Sequence, residues 1–216
     1  MTQATNITAH TTTLTVKDLG KRFNREWIFR RLNAAFSPGN TYAITGPNGS
    51  GKSTLLQVLW GQMPPSTGTL SYQINNQETP VDEVYRHLSM ATPYMDLIEE
   101  FTLREQLSFH FRLRPSRNNI SIDELIDILY LGPSQNKTLS NFSSGMRQRV
   151  KLALAFYTEA DMVFLDEPGT NLDRQAFTWY LDHLAKLPPS CTVFVASNNA
   201  EEYPNASRVL NILDLK

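Results

Sequence analysis

The chain has 216 residues, 41% of them hydrophobic and 19% charged, enough for one packed α/β domain carrying a small inserted lobe. Twenty Lys and Arg against twenty-one Asp and Glu leave a formal charge of −1, which excludes a bulk electrostatic grip on nucleic acid or anionic lipid. The one cysteine, Cys191, excludes an internal disulfide, and no apolar run approaches the ~20 residues of a membrane-spanning helix.

Residues 1–10 are polar and lack the apolar centre of a secretory leader, so a soluble chain that stays in a reducing cytosol is expected. Strand alternation over 13–16, 27–29 and 32–36, with a Ser-Pro-Gly-Asn turn at 37–40, predicts an antiparallel β layer. Residues 41–45 read as a short buried strand and 54–60 as a helix with one apolar face. Between them lie Gly46, Pro47, Asn48, Gly49, Ser50, Gly51, Lys52, Ser53 and Thr54. Glycines at that spacing, between a strand and a helix, let backbone N–H groups close around the phosphates of ATP or GTP. Lys52 would reach the β and γ phosphates, and the Ser53 hydroxyl would sit on Mg²⁺.

Strand alternation returns over 69–74, and helical spacing governs 103–113 and 122–131, the latter closed by Gly132 and Pro133. Helices over 144–157 and 173–186 and strands over 162–165 and 192–196 then alternate, as in a parallel sheet. Cys191 borders the last of these strands, where a buried structural thiol is expected. Ser143, Ser144, Gly145 and Met146 open the helix that carries Arg147, Arg149 and Lys151. Exposed N–H groups there make a second anion site, or equally an ordinary Ser cap beside a solvated basic face. Asp166 and Glu167 end a buried strand, where ligands bind in open α/β sheets. Asp166 can hold Mg²⁺ and Glu167 can take the proton of an attacking water, although acid pairs also serve as plain helix caps.

The phosphate loop, the Ser-Ser-Gly-Met turn and the strand ending in Asp-Glu stand in an order that resembles the nucleotide-binding subunit of ATP-binding cassette (ABC) transporters. The resemblance covers nearly the whole chain. It implies a P-loop NTPase core with a parallel sheet, an N-terminal antiparallel β layer and an inserted α-helical subdomain. The chain would be one domain, with its core at about 1–90 and 158–216 and the helical insert at about 91–157. The resemblance further implies a head-to-tail dimer, each ATP held between one phosphate loop and the partner's signature Ser143, Ser144, Gly145 and Met146. Ser53 and Asp166 would hold Mg²⁺, and Glu167 would be the general base beside Lys52. Phe23 would stack on adenine, or else be a rim aromatic. Asp173 would reach across the dimer from the D-loop at 168–173, or else cap its own helix.

The family's usual Gln is absent, its place falling on Thr92 or Pro93, and Asn198 stands where a γ-phosphate-sensing His is usual. Asn198 can donate a hydrogen bond but carries no charge. Ser144 and Met146 replace the common Gly and Gln of the signature. One lost donor in such a site costs on the order of 3 kcal/mol, or about a hundredfold in rate, so slow hydrolysis is expected. The partner implied is a transmembrane transporter subunit on a separate polypeptide, with this chain peripheral on the cytosolic face, not inserted in the membrane. Residues 94–101 would dock it through exposed Met95, Leu97 and Ile98, unless these form a small core of the helical lobe. A degenerate regulatory cassette and a soluble non-transport ABC ATPase are the competing readings.

Overall fold

Two sheets with different hydrogen-bonding logic share one core. The computed structural model describes residues 12–216, so the reading of residues 1–10 as lacking a leader lies outside the described residues. In chain order the elements are β1 (Thr12–Phe23), β2 (Glu26–Phe36), β3 (Thr41–Thr45), α1 (Lys52–Leu59), β4 (Thr67–Ile74), β5 (Gln77–Thr79) and β6 (Leu88–Ala91). They continue with α2 (Leu103–Leu113), α3 (Ile122–Ile128), α4 (Ser144–Tyr157), β7 (Met162–Asp166), α5 (Arg174–Ala185), β8 (Thr192–Ala196) and β9 (Arg208–Asn211). An antiparallel sheet runs β2-β1-β4-β5, and a parallel sheet runs β6-β7-β8-β3-β9. The predicted α/β class, with a β layer preceding the phosphate loop, is the class observed.

The β layer is more extensive than its sequence pattern, and β1 runs on to Phe23, beyond the expected 13–16. The predicted strands over 27–29 and 32–36 are one continuous strand, β2, paired along β1. Its alternation breaks because Arg31 sits at φ +57°, and Asp18 at φ +48° makes the matching irregularity in β1, so the buried face shifts along both strands. Gly68 (φ +79°) is required beside this bulge, since a Cβ there would lie 2.3 Å from the Asp18 carbonyl oxygen. Strands β5, β6 and β9 were not anticipated: three or four residues are too few to display a period.

The parallel sheet is buried on both faces, so β7 and β8 read as continuous apolar runs. Successive side chains alternate between two cores. Met162 and Phe164 of β7 and Phe194 and Ala196 of β8 face α1 and the β layer, while Val163, Leu165, Val193 and Val195 face α4, α5 and the helical lobe. In the first core Phe164 stacks on Phe194 with centroids 4.6 Å apart and planes at 4°, and Trp60 and Phe36 meet the pair edge-on. Cys191 is buried, and burial pushes its thiol up to about 11, as a structural thiol requires.

Capping boxes start the two lobe helices: Thr102 with Glu105 opens α2, and Ser121 with Glu124 opens α3. Helix α3 stops at Ile128, short of the anticipated 131, where Tyr130 turns to φ +54°. The Arg117 guanidinium donates to the carbonyls of Phe156, Thr158 and Ala160, tying the lobe to the end of α4. Helix α4 lies against β6, where Ser89 donates to the Ala155 carbonyl at 2.7 Å. In the segment expected to dock a partner, Leu97 is buried in the second core, whereas Met95 and Ile98 are half-buried. Leu97 is therefore core rather than socket, because the chain folds back there to close the lobe. Among the described residues, no helix is long and apolar enough to cross a membrane.

The Phe164–Phe194 stack joins the phosphate-loop core to the sheet, so Phe164→Ala is expected to cost about 3–5 kcal/mol in urea unfolding. Val209→Thr on the exposed face of edge strand β9 should stay within ~0.5 kcal/mol. Equal losses for the two variants would show that the stack carries no special share of the stability.

Candidate active site

The phosphate loop leaves β3 at Thr45 and enters α1 at Lys52. Its curvature depends on glycines with neighbours at their backs. A Cβ on Gly46 (φ +141°) would lie 2.5 Å from Ile212 Cγ2, and one on Gly51 (φ +109°) would lie 2.2 Å from Ile28 Cγ2. Gly49 (φ +78°) faces open space, with nothing within 4 Å. The loop is thus packed from behind and open in front, as a cradle for phosphates must be. The Ser50 N–H closes a turn onto the Pro47 carbonyl at 3.0 Å, and the Lys52 ammonium donates to the Gly46 carbonyl at 3.0 Å.

In front of the loop lies a cleft of about 420 Å³. The loop and α1 give it Asn48, Gly49, Gly51, Lys52, Ser53 and Thr54, and the ends of two neighbouring strands give it Pro93, Tyr94, Asp166 and Glu167. Asp166 is 1% exposed, and neither carboxylate oxygen has a hydrogen-bond partner. Burial pushes its carboxyl up, with the Glu167 charge adding to the effect. The Ser53 hydroxyl, outside full hydrogen-bond geometry, and the Lys52 ammonium offset this only in part. The folded chain therefore binds this proton more tightly than the unfolded chain, so Asp166 withdraws stability as pH rises through and above the ordinary Asp range.

An orphaned carboxylate beside a serine hydroxyl is an unmet demand for a hard cation. Two protein oxygens, with phosphate and water completing the shell, suit Mg²⁺, so Ser53 and Asp166 fit the metal expected of them. Among the described residues, no cluster of three His, Cys, Asp or Glu offers a self-sufficient metal cage.

Glu167 has the opposite environment. Its carboxylate is 39% exposed and stands 3.5 Å from the Lys52 ammonium. Its backbone is at φ +48°, a conformation that costs a non-glycine residue about 1–2 kcal/mol. The turn is held by the Glu167 N–H donating to the Ala196 carbonyl at 2.8 Å and by the Thr170 N–H donating to the Glu167 carbonyl at 3.1 Å. The Gln148 amide donates to the Pro168 carbonyl at 3.0 Å, linking this turn to α4. Asn198 accepts from the Gly46 N–H at 2.9 Å through Oδ1, so its amide nitrogen is the end left to meet a ligand.

The remaining expected residues lie apart from this cleft. Ser143 and Ser144 are exposed, and Ser143 Oγ accepts from the Met146 N–H at 3.2 Å as the cap of α4. Gly145 sits 2.7 Å, measured from a Cβ placed on it, from the Asn171 carbonyl oxygen of the turn before α5. Asp173 caps α5, its Oδ1 accepting from the Ala176 N–H at 2.8 Å. Phe23 is an exposed ring at the end of β1, with the Lys21 ammonium 5.2 Å from its centroid. None of Phe23, Ser143, Ser144, Gly145, Met146 or Asp173 lines the phosphate cleft. Tyr94 does, although the sequence pointed to it only as the start of a docking segment. Its signal was its position just past the end of β6, a strand too short to be seen in advance.

A family model described as "ABC transporter" matches residues 29–170. The sulfate/thiosulfate import ATP-binding protein CysA of Nitrosomonas europaea is 29% identical over 92% of this chain, which spans 57% of that protein. The daunorubicin resistance ATP-binding protein DrrA3 of Streptomyces coeruleorubidus is 28% identical over 94% of this chain, and 66% of that protein is covered. Human retinal-specific phospholipid-transporting ATPase ABCA4 is 28% identical over 80% of this chain but matched over 8% of its own length. This chain therefore spans only part of these relatives. Among solved structures, the dimeric bacterial ABC transporter cassette MJ0796 has the same fold, with a TM-score of 0.76 and 21% identity, over 92% of this chain and 94% of that one. The cleft geometry, the motif order and the family match agree, and the chain belongs to the ABC transporter family as an ATP-binding cassette.

Proposed function

We propose that this chain hydrolyses ATP to energise a membrane transporter whose transmembrane part is a separate polypeptide. The observation that carries the reading is the convergence of Lys52, Ser53, Asp166 and Glu167 on one cleft in front of an open glycine loop. In that cleft the loop N–H groups, the α1 N-terminus and Lys52 hold the phosphates. Ser53 and Asp166 would hold Mg²⁺, which when bound would supply positive charge beside the phosphate oxygens. The solvated Glu167 carboxylate takes a proton as water attacks the γ phosphorus, the new P–O bond forming while the bond to the ADP oxygen breaks. Asn198 contributes a neutral amide donor, and the lack of a cation there makes turnover slow.

The exposed start of α4, with Ser143, Ser144, Gly145 and Met146, would be a second anion site, and none of these residues lines the phosphate cleft of its own chain. A second copy placed head-to-tail gives it a phosphate, and in that dimer Phe23 covers adenine and Asp173 lies at the interface. Residues 1–216 act as one catalytic domain, core 1–90 and 158–216, with 91–157 as the lobe that meets the transporter. A groove of about 160 Å³ between Tyr85, Met90, Met95, His110 and Arg114 offers the membrane subunit an apolar seat on the cytosolic face. Pro93 in the cleft gives the regulatory reading its support, since proline has neither a polar side chain nor an N–H.

Glu167→Gln keeps shape and removes the base. Phosphate release is expected to fall at least about a hundredfold, while ATP-dependent dimerisation, read by sedimentation, persists. Dimerisation without phosphate release by the wild type, alone and with its membrane partner, would instead establish a regulatory cassette.

Asp166→Asn removes a buried carboxylate that has no hydrogen-bond partner and whose charge Lys52 offsets only in part. It should stabilise the nucleotide-free chain near pH 7 by about 1–3 kcal/mol, with the gain shrinking as pH falls toward the ordinary Asp range. The same variant should lose the Mg²⁺-dependent part of stabilisation by ATP in a thermal-shift series. A destabilised variant would show that the Asp166 carboxylate is satisfied in the free protein.

A further inference from the structure

The cleft has donors on one side and acceptors on the other. Its loop side supplies backbone N–H groups, the Lys52 ammonium and the Ser53 and Thr54 hydroxyls. Its strand-end side supplies Asp166 and Glu167, which are acceptors when ionised, and Pro93, which has no polar side chain and no N–H. A terminal phosphate seated there would be gripped from the loop and face two carboxylates. Tyr94 is the exception: among the described residues that line the cleft it is the one donor outside the loop and α1, and the Asn198 amide, held on the Gly46 N–H, is not part of that lining.

Tyr94 is 72% exposed, so its ring is not committed to the core. Its backbone, by contrast, is pinned on both sides. The Met95 N–H closes a turn onto the Thr92 carbonyl at 3.2 Å, and the Lys151 ammonium reaches from α4 to the carbonyls of Thr92 and Pro93 at 3.4 and 3.3 Å. An anchored backbone with a free phenol tip suits a group that must swing onto a ligand.

We infer that the Tyr94 hydroxyl donates to the terminal phosphate of the bound nucleotide and so lets the site distinguish a triphosphate from a diphosphate. This rests on the reading of the cleft as an ATP site. A diphosphate ends closer to the loop and is held by loop donors alone, whereas a third phosphoryl group extends toward the strand ends and meets Tyr94.

Calorimetric titration with Mg²⁺ and either ADP or the β,γ-imido analogue of ATP tests this without turnover. Wild type should prefer the triphosphate analogue. Tyr94→Phe, conservative at an exposed position, should lose about tenfold in affinity for the analogue, equivalent to ~1.4 kcal/mol, and bind ADP as before. A Phe variant that binds both nucleotides like wild type overturns the proposal while leaving the ATP site standing. Equal weakening toward ADP and the analogue overturns it too, since the contact would not be with the terminal phosphate. If Tyr94→Leu loses affinity where Tyr94→Phe does not, the ring and not the hydroxyl makes the contact, and the proposal fails. A wild type that binds neither nucleotide rejects the ATP site itself.

Discussion

A parallel sheet sends the C-terminal ends of all its strands to one edge, and this molecule hangs its chemistry on that constraint. β3 runs into the phosphate loop, β7 ends at Asp166, β8 leads to Asn198, and β6 leads to Pro93 and Tyr94. Residues separated by more than a hundred positions in sequence, Lys52 and Asp166 among them, thereby line one cleft, and the Gly46 N–H at the foot of the loop donates to Asn198 beyond β8. The sheet can enforce this because it is rigid. Both faces of β7 and β8 are buried, and the stacked Phe164 and Phe194 fix the two strands to the core under α1.

That rigidity sustains features that would not persist alone. Asp166 buries a carboxylate with no hydrogen-bond partner, Glu167 sits in a left-handed conformation, and Gly46 and Gly51 pass within a methyl's width of Ile212 and Ile28. Each opposes folding, and all lie within a few residues of the cleft. At the cleft such features coincide with the groups that face a ligand, Asp166 and Glu167. The two carboxylates also divide their roles by environment: the dry one is suited to a cation, the wet one beside Lys52 to proton transfer.

The fold gives α1 and α4 differently placed N-termini. That of α1 opens into the cleft, and that of α4 is exposed away from it, capped by its own Ser143. Between them runs the turn from Glu167 to Asp173, tied to α4 by Gln148 and approached closely by Gly145 at Asn171. The turn thus touches both helices, α1 through the Lys52–Glu167 ion pair and α4 through the Gln148 side chain.

Local chemistry made much of this legible in the sequence. Glycine spacing marked the loop, and apolar runs marked β3, β7 and β8 as strands buried on both sides. Helical periods placed α2 and α4 at their observed limits, because in each the pattern and the cap agree. What failed was short or broken: β5, β6 and β9 have too few residues for a period, and the bulge at Arg31 disguised β2 as two strands. Leu97 looked like exposed docking surface, since apolarity alone does not say whether a side chain faces a partner or its own core. The sequence by itself determined the order of glycine loop, Lys, hydroxyl and paired carboxylates, because that is a property of side-chain chemistry at fixed spacing. Only the tertiary structure decided that Asp166 is dry and Glu167 wet, that Asn198 holds Gly46, and that Tyr94 enters the cleft. Those depend on strand order in a parallel sheet, where adjacency in space is set by pairing and not by position along the chain.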